Sequence, residues 1–257
     1  QTTSFGDQAY EMAKALLAQH AQMLETLKGD KDRMEGLITI AIPAGIGPLF
    51  VTPQLLEYQQ TFPKIEFELI TLTSKADEVF VNHPEKVVHV SIGYGVPGTG
   101  DIVSRYSGRM EFIPCCAPSY IKKHGAISDP DQCNDLTGLS YTGGTRTRTQ
   151  ELQNNGVVRQ LKWRKSLSFQ SLSDLKNACL LGAGIASDLP LIHCIDELEQ
   201  GKLVNVLAGW KRPAAGCYLY STRHFTEYRR VSTFLDWMAE KHRELLDQID
   251  ERFRKLA

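Results

Sequence analysis

The sequence lacks a surplus of charge of either sign, and it lacks long apolar runs. Its 29 Lys and Arg side chains nearly balance 30 Asp and Glu side chains, so the formal net charge is −1. The cations are scattered, which argues against direct binding to nucleic-acid phosphates by this chain. The apolar runs are far shorter than the ~20 residues that cross a bilayer, and no secretory signal is visible. We therefore expect no membrane association.

Cysteine is present but lacks the spacing that binds metal. None of the six cysteines forms a C-x-x-C pair, so neither a zinc site nor a disulfide framework is indicated, and we predict no metal and no cofactor. A reducing cytoplasm fits this pattern best. Redox sensing stays open as an alternative, but a sensor thiol needs exposure and a lowered pKa. Burial is the expectation for most of the six: Cys115, Cys116, Cys133, Cys179, Cys194 and Cys217.

What the sequence does contain is a regular alternation of strand-like and helix-like segments. The 257 residues, 42% of them hydrophobic, suffice for two domains with their own cores. Alternation of this kind favours βαβ units and a mostly parallel sheet, hence an α/β fold. We predict strands at 37–42, 67–72, 87–94, 111–117, 138–142, 167–169, 184–187 and 217–221. We predict helices at 48–61, 74–82, 118–124, 171–181, 189–198 and 226–246.

An amphipathic helix is predicted ahead of the first strand. Apolar residues recur there at spacings of three and four, which places them on one helix face. No strand precedes this face, so it needs a partner from elsewhere. The stripe consists of Tyr10, Ala13, Leu17, Leu24 and Leu27.

Several short motifs occur in an order that resembles the LysR-type transcriptional regulators. Each motif is weak alone, but their order and spacing over residues 1–246 make a strong joint match. Thr3 and Gly6 resemble the T-x-x-G start of the family's linker helix. The other motifs are Ala44-Gly45-Ile46-Gly47, Thr61-Phe62-Pro63, Cys116-Ala117-Pro118-Ser119-Tyr120, Gly182-Ala183-Gly184-Ile185-Ala186 and Gly201-Lys202-Leu203-Val204.

The resemblance implies two subdomains of the periplasmic-binding-protein type with a ligand cleft between them, preceded by a helical linker. Residues 1–35 would be the end of a winged helix-turn-helix and a dimerising linker helix. Residues 36–112 and 217–257 would form the first regulatory subdomain, and 113–216 the second. The resemblance also implies a dimer or tetramer that binds promoter DNA only through a missing N-terminal domain.

Candidate effector contacts of the first subdomain follow its strands. In open parallel sheets, ligands collect at the carboxyl ends of strands beside helix N-termini. Ala44, Gly45, Ile46 and Gly47 follow the first strand, and they read either as a tight turn or, with the resemblance, as pocket lining. Many relatives carry a hydroxyl residue at the position of Ile46, so this chain offers backbone donors and an apolar wall there.

Other strand ends supply the remaining candidates, each with a plainer alternative. Ser74 can cap a helix through a capping box with Asp77, and Tyr94 can be a surface aromatic residue. Ser171 is expected to be a helix N-cap first and a ligand contact second. Arg146 and Arg148 read more readily as solvated than as partners of a carboxylate. The predicted effector contacts at these strand ends are Thr73, Ser74, Tyr94, Thr142, Gly143, Phe169 and Ser171.

Two motifs that suggest catalysis or nucleotide binding are better explained otherwise. Ser173-Asp174-Leu175-Lys176 matches S-x-x-K without the companion motifs of β-lactamases. Gly182 and Gly184 stand between a helix and a strand, the reverse of a dinucleotide-binding turn.

No nucleophile with a base appears in the sequence, so we expect a protein that is not an enzyme. The predicted function is effector sensing and oligomerisation in a LysR-type regulator, with a small-molecule effector whose chemistry, anionic or otherwise, stays open. The alternative is a solute-binding protein of a transport system with the same fold.

Overall fold

The computed structural model describes residues 6, 9–10, 12–14, 16–17, 31–43, 46–72, 75–82, 87–95, 100–143 and 148–256, with the backbone only at 48–49 and 81–82. The chain divides into two compact units. The first comprises residues up to Ser107 and Cys217–Lys241, and the second comprises Gly108–Gly216 and residues from His242 onward. The terminal residues from 242 thus group with the second unit, whereas the sequence analysis placed them in the first.

The first unit is built on a five-stranded sheet. Its strands are β1 (Gly36–Ile42), β2 (Ile65–Thr71), β3 (Val90–Tyr94), β4 (Ile102–Met110) and β12 (Ala215–Thr222), in the order β2-β1-β3-β12-β4. β1 is parallel to both β2 and β3, and β12 is antiparallel to β3. Residues 38–42 of β1 are buried without alternation, as expected for a strand covered on both faces.

Helices follow β1 and β2 and end the chain. A π-helical turn (Gly47–Val51) leads into α1 (Thr52–Thr61), and α2 (Val79–Asn82) follows β2. The short α6 (Arg223–Thr226) precedes the 26-residue α7 (Arg229–Arg254). None of the helices in the described part of the chain is long and apolar enough to cross a membrane.

An aromatic cluster joins α1, β2 and α7 in the core of the first unit. Tyr58 is 1% exposed, and its ring centroid lies 5.1 Å from that of Phe234 and 4.8 Å from that of Trp237. Phe67 lies 5.0 Å from Phe234. The long terminal helix is therefore held to the sheet by aromatic packing across the unit.

The second unit has its own five-stranded sheet. Its strands are β5 (Phe112–Cys116), β6 (Thr137–Tyr141), β9 (Lys165–Phe169), β10 (Ile185–Pro190) and β11 (Val204–Asn205), in the order β11-β5-β10-β6-β9. β6 is parallel to β9 and β10, whereas β5 is antiparallel to β10 and β11. A separate hairpin pairs β7 (Glu151–Asn154) with β8 (Val157–Gln160).

Three helices belong to the second unit besides the end of α7. These are α3 (Pro118–His124), α4 (Leu172–Leu180) and α5 (Ile195–Glu199), with 3-10 turns at Pro130–Asp135 and Leu191–His193. α3 has the predicted bounds, and Gly125 follows it with φ of 83°.

Two predicted helices begin later than expected. The second helix begins at Val79, not at 74. The predicted helix at 189–198 begins only at Ile195, because β10 continues to Pro190. In α1, Leu56 is 58% exposed while Gln54 and Tyr58 are buried, and in α7 Leu246 and Ile249 are buried while Leu245 is half-buried.

The sheets are mixed, and this departs from the mostly parallel prediction. β5 is antiparallel to β10 and β11, and β12 is antiparallel to β3. No helical crossover precedes either strand, and only a parallel neighbour requires one. β4, β7, β8 and β11 were not predicted.

Candidate functional site

The carboxyl ends of the parallel strands in the first unit lie side by side. The amide of Leu72 donates to the carbonyl of Ile42 at 2.8 Å, which keeps the ends of β2 and β1 together. Tyr94 ends β3 and is 44% exposed, and it pairs with Cys217 of β12. The predicted contacts Ala44, Gly45, Thr73 and Ser74 lie outside the described residues.

The turn after β1 packs tightly against the strand. Ile46 is 5% exposed, and its carbonyl accepts hydrogen bonds from Phe50 and Val51. A Cβ on Gly47 would lie 2.8 Å from Cδ1 of Ile42, so a larger residue there would have to displace the end of that side chain. The side chain of Ile46 thus belongs to the core, and its predicted role as an apolar wall for a ligand stays a prediction.

A second close approach lies at the end of β3. A Cβ on Gly93 would come within 2.3 Å of Cβ of Ala76, and the Ser91 hydroxyl donates to the Ala76 carbonyl at 2.5 Å. The Tyr220 hydroxyl donates to the carbonyl of Gly95. Burial, with a smaller effect from the nearby carboxylate of Asp77, raises the pKa of Tyr220 well above its usual range. This edge is therefore shaped by backbone contact beside an acidic side chain.

In the second unit the structure brings four predicted residues together. Tyr141 pairs with Phe169 at the matching ends of β6 and β9, and Thr142 follows with its amide donating to the Phe169 carbonyl at 2.8 Å. A Cβ on Gly143 would lie 2.3 Å from the carbonyl oxygen of Gln170.

Ser171 caps the helix that begins at this edge. Its hydroxyl accepts from the amide of Asp174 at 3.2 Å, which satisfies one N–H group of the first turn of α4. Capping uses only one lone pair of the hydroxyl oxygen. Thr142, Gly143, Phe169 and Ser171 thus form one edge, with Gly143 buried and the other three side chains half-buried.

A buried charged group on the same edge was missed by the sequence analysis. Asp188, in β10, is 1% exposed, and its Oδ2 accepts from the Thr149 hydroxyl and lies 3.2 Å from Nη1 of Arg212. The Arg212 guanidinium lies over the Phe112 ring, 4.8 Å from its centroid. Asp188 fell between the predicted strand at 184–187 and the predicted helix at 189–198, so it was assigned to neither element.

The arginines of the loop after Gly143 were predicted to be solvated rather than bound to a carboxylate, and the structure adds a contact for one. Arg148 donates through Nη2 to the Ser166 hydroxyl. Arg146 lies outside the described residues.

All six cysteines are free and buried, which confirms the expectation of burial. Burial raises the pKa of the Cys116 and Cys133 thiols to about 12. The pKa of Cys115 is also raised, because the effects of Cys194 and of burial outweigh the lowering effect of Cys179. The contact with Cys115, together with burial, raises the pKa of Cys179. A reactive thiol needs the opposite shift. Within the described ranges, no three His, Cys, Asp or Glu side chains form a group suited to a metal ion.

The N-terminal apolar stripe is described only in part. Tyr10, Ala13 and Leu17 have helical backbone and are exposed, Tyr10 and Leu17 each at 56%. Leu24 and Leu27 lie outside the described residues.

Comparison with known proteins decides the family. Residues 31–243 match the family model of the LysR substrate binding domain. The chain belongs to the LysR family. The predicted family and the α/β fold class, with two units like those of periplasmic binding proteins, are thereby confirmed.

Relatives and solved structures agree with this assignment. The chain is 27% identical over 240 residues to the uncharacterised HTH-type transcriptional regulator YhjC of Escherichia coli, covering 93% of this chain and 78% of the relative. The full-length structure of AphB, a virulence activator of Vibrio cholerae, is similar in fold at 21% identity with a TM-score of 0.71, covering 93% of this chain and 79% of AphB. The regulatory domain of CrgA from Neisseria meningitidis has a TM-score of 0.66 at 18% identity, covering 84% of this chain and 99% of that domain. The named relatives are regulators of transcription, so the alternative of a transport protein is not favoured.

Proposed function

We propose that this chain is the effector-sensing and oligomerisation part of a LysR-type regulator, and that the strand ends in each unit supply the effector contacts. The observation that carries this is the second-unit edge, where Thr142, Gly143, Phe169 and Ser171 converge. The family match supplies the class of function.

The proposed contacts combine backbone and hydroxyl groups of both units. From the first unit come the turn at 44–47, Thr73, Ser74 and Tyr94, and from the second come the four residues of the converging edge. Such sites are mostly apolar, with a few fixed polar groups that orient the ligand. A Cβ at Gly93 or Gly143 would come within 2.3 Å of a neighbouring atom, so the chain packs closely beside these polar groups.

The proposed mechanism is a population shift. A ligand changes the balance between two conformations only through its different affinity for them. The shift would reach promoter DNA through an N-terminal domain, with the helix that carries Tyr10, Ala13, Leu17, Leu24 and Leu27 acting as a dimer element. The exposed Tyr10 and Leu17 support this, since exposed apolar side chains in one helix favour a protein partner. A cytoplasmic location and the absence of catalysis go with this proposal.

A thermal-shift screen of metabolites tests the proposal, with small carboxylates and aromatics tested first. Thr142→Val should reduce the shift given by a stabilising compound, because the half-buried hydroxyl is lost at nearly constant volume. Thr137→Val is the matched control, since Thr137 begins β6 at its opposite end. A bulky side chain at position 45, as in Gly45→Leu, should abolish the shift. Equal shifts in wild type, Thr142→Val and Gly45→Leu would show that the site lies elsewhere.

A further inference from the structure

The charged group at the end of β10 belongs to the same sheet edge as the proposed effector contacts. β10 runs parallel to β6, with Ile185 paired to Gly138 and Ala186 to Leu139. This pairing extends to Ala186 and Leu139, so Asp188 lies two residues further along β10 and Tyr141 two residues further along β6. Because the two strands are parallel neighbours, Asp188 and the converging edge lie at the same end of the sheet.

The neighbouring strand places the aromatic partner at this edge as well. β5 is antiparallel to β10 and pairs Phe112 with Pro190, so its first residue meets the last residue of β10. The register between the two strands shifts between Ala186 and Leu189, the stretch that contains Asp188. Such bulges redirect side chains and are common beside binding sites.

The surroundings of Arg212 fix the orientation of its guanidinium. Phe112, which is 2% exposed, supports one face of the group, and the buried carboxylate of Asp188 contacts Nη1. The Thr149 hydroxyl donates to the same carboxylate and lies 3.5 Å from Nη1. Although Asp188 is buried, the side chain of Arg212 is 27% exposed, so this cation reaches the surface of the unit.

We propose that Arg212 anchors a carboxylate group of the effector, with Asp188, Thr149 and Phe112 as positioning residues. This proposal rests on the proposed function, because it assigns a ligand class to the same edge. A guanidinium offers a planar fork of donors that matches a carboxylate, and a fork already held in place loses little side-chain freedom on binding. One guanidinium beside one carboxylate suits a singly charged group better than a phosphate dianion.

The test compares charged and neutral probes of the same shape. Binding of benzoate, benzamide, succinate, succinamide and inorganic phosphate to the wild-type chain is measured by titration calorimetry and thermal shift. We expect a carboxylate to bind more tightly than its amide and more tightly than phosphate. Arg212→Gln should weaken carboxylate binding about tenfold or more, the size expected for a lost charge-assisted hydrogen bond, and leave amide binding unchanged. Arg212→Lys should give an intermediate loss, since the charge stays but the fork is lost.

Lys211→Gln is the matched control, because it removes one positive charge from the adjacent residue, whose Nζ lies 2.8 Å from Glu111. Equal losses in Lys211→Gln and Arg212→Gln would show a long-range field and overturn the anchor. Unchanged carboxylate preference in Arg212→Gln would overturn it too, and the Thr142→Val result then tells whether the site itself stands. Tighter binding of amides or phosphate by the wild type, or no carboxylate binding, would overturn the ligand class. The unfolding temperature of each variant without ligand verifies that it is folded.

Discussion

At the end of β3 in the first unit, Gly93 packs closely against Ala76. The charged group near Tyr220 at this edge is the carboxylate of Asp77. At the end of β10 in the second unit, the buried Asp188 holds Arg212, whose side chain reaches the surface. The first edge is therefore shaped by backbone contact next to a negative charge, and the second by an oriented positive charge. This difference supports our proposal that an anionic group of an effector binds against the second unit.

We expect the two units to differ in their response to acid, and this is the largest effect that we predict. Burial lowers the pKa of His242, in the second unit, to about 4. In the unfolded chain this histidine titrates near pH 6.5. The buried neutral imidazole therefore contributes its full stability above that pH, and the contribution is lost as the pH falls towards 4. We expect a loss of roughly 3 kcal/mol at or below pH 4. His242→Leu should flatten this acid limb in urea unfolding followed between pH 4 and 7. An unchanged limb would show that other groups cause it.

Hydrogen exchange extends the acid prediction to each unit separately. At pH 4.5, corrected for intrinsic exchange rates, the core strands β6 and β10 of the second unit should lose more protection than β1 and β3 of the first. The opposite order would contradict the assignment of acid sensitivity to the second unit.

The backbone contact in the first unit should break when glycine is replaced. Gly93→Val places a Cβ about where Ala76 already has one, and overpacking of a central strand costs about 3 kcal/mol. The free energy of unfolding, measured with urea, gives the size of the loss. In a matched pair, Gly93→Ala should be destabilised less, and Ala76→Gly should restore part of the loss by removing the opposing Cβ. A fully stable Gly93→Val chain would show that the contact is loose.

The ion pair of Asp188 and Arg212 in the second unit should be weakened by removing one of its charges. Asp188→Asn keeps the size of the side chain but removes the charge that faces Arg212, and the loss should be about 2 kcal/mol, the size of a charge-assisted hydrogen bond. Because Arg212 is partly exposed, water can hydrate it and limit the loss. Urea unfolding of Asp188→Asn, Arg212→Gln and the double variant measures the coupling. Additive losses in the double variant would mean that the two side chains do not act together.

The smallest effect is expected at the helix cap of the second edge. Ser171→Ala removes the acceptor for the Asp174 amide, and the loss should be about 1 kcal/mol. Ser171→Asp restores an acceptor and should recover the stability. Thermal unfolding of the two variants measures this, and equal melting temperatures would show that the cap contributes little. Ser171→Asp also adds a negative charge beside a site proposed for anions, so it should weaken carboxylate binding while it restores stability.

The sequence predicted the elements whose local signals agree with their surroundings. Pro118 at the start and Gly125 after the end gave α3 its bounds, and Ser171 with Asp174 marked the start of α4. β1 was predicted from an unbroken apolar run, and the run is buried as such a run should be. The residues that mark each of these elements lie within or next to the element in the sequence. These elements could therefore be recognised without knowledge of contacts between distant residues.

Elements fixed by distant contacts were not recognised. β4 carries polar and charged residues such as Arg105, whose partner Asp236 lies 131 positions away in α7. The aromatic cluster of Tyr58 with Phe234 and Trp237 selects the buried face of α1, which the local sequence does not identify. Arg212 was missed for the same reason, since Phe112 and Asp188 approach it only through the fold.

The central claim is our proposal that strand ends in this chain supply the contacts for a small molecule. The most direct measurement is hydrogen exchange of the wild-type chain with and without the compound that gives the largest thermal shift. We predict added protection in peptides that cover 46–51 of the first unit and 141–143 and 169–172 of the second. Protection confined to the opposite ends of the strands, for example at the starts of β1 and β6, would contradict the account.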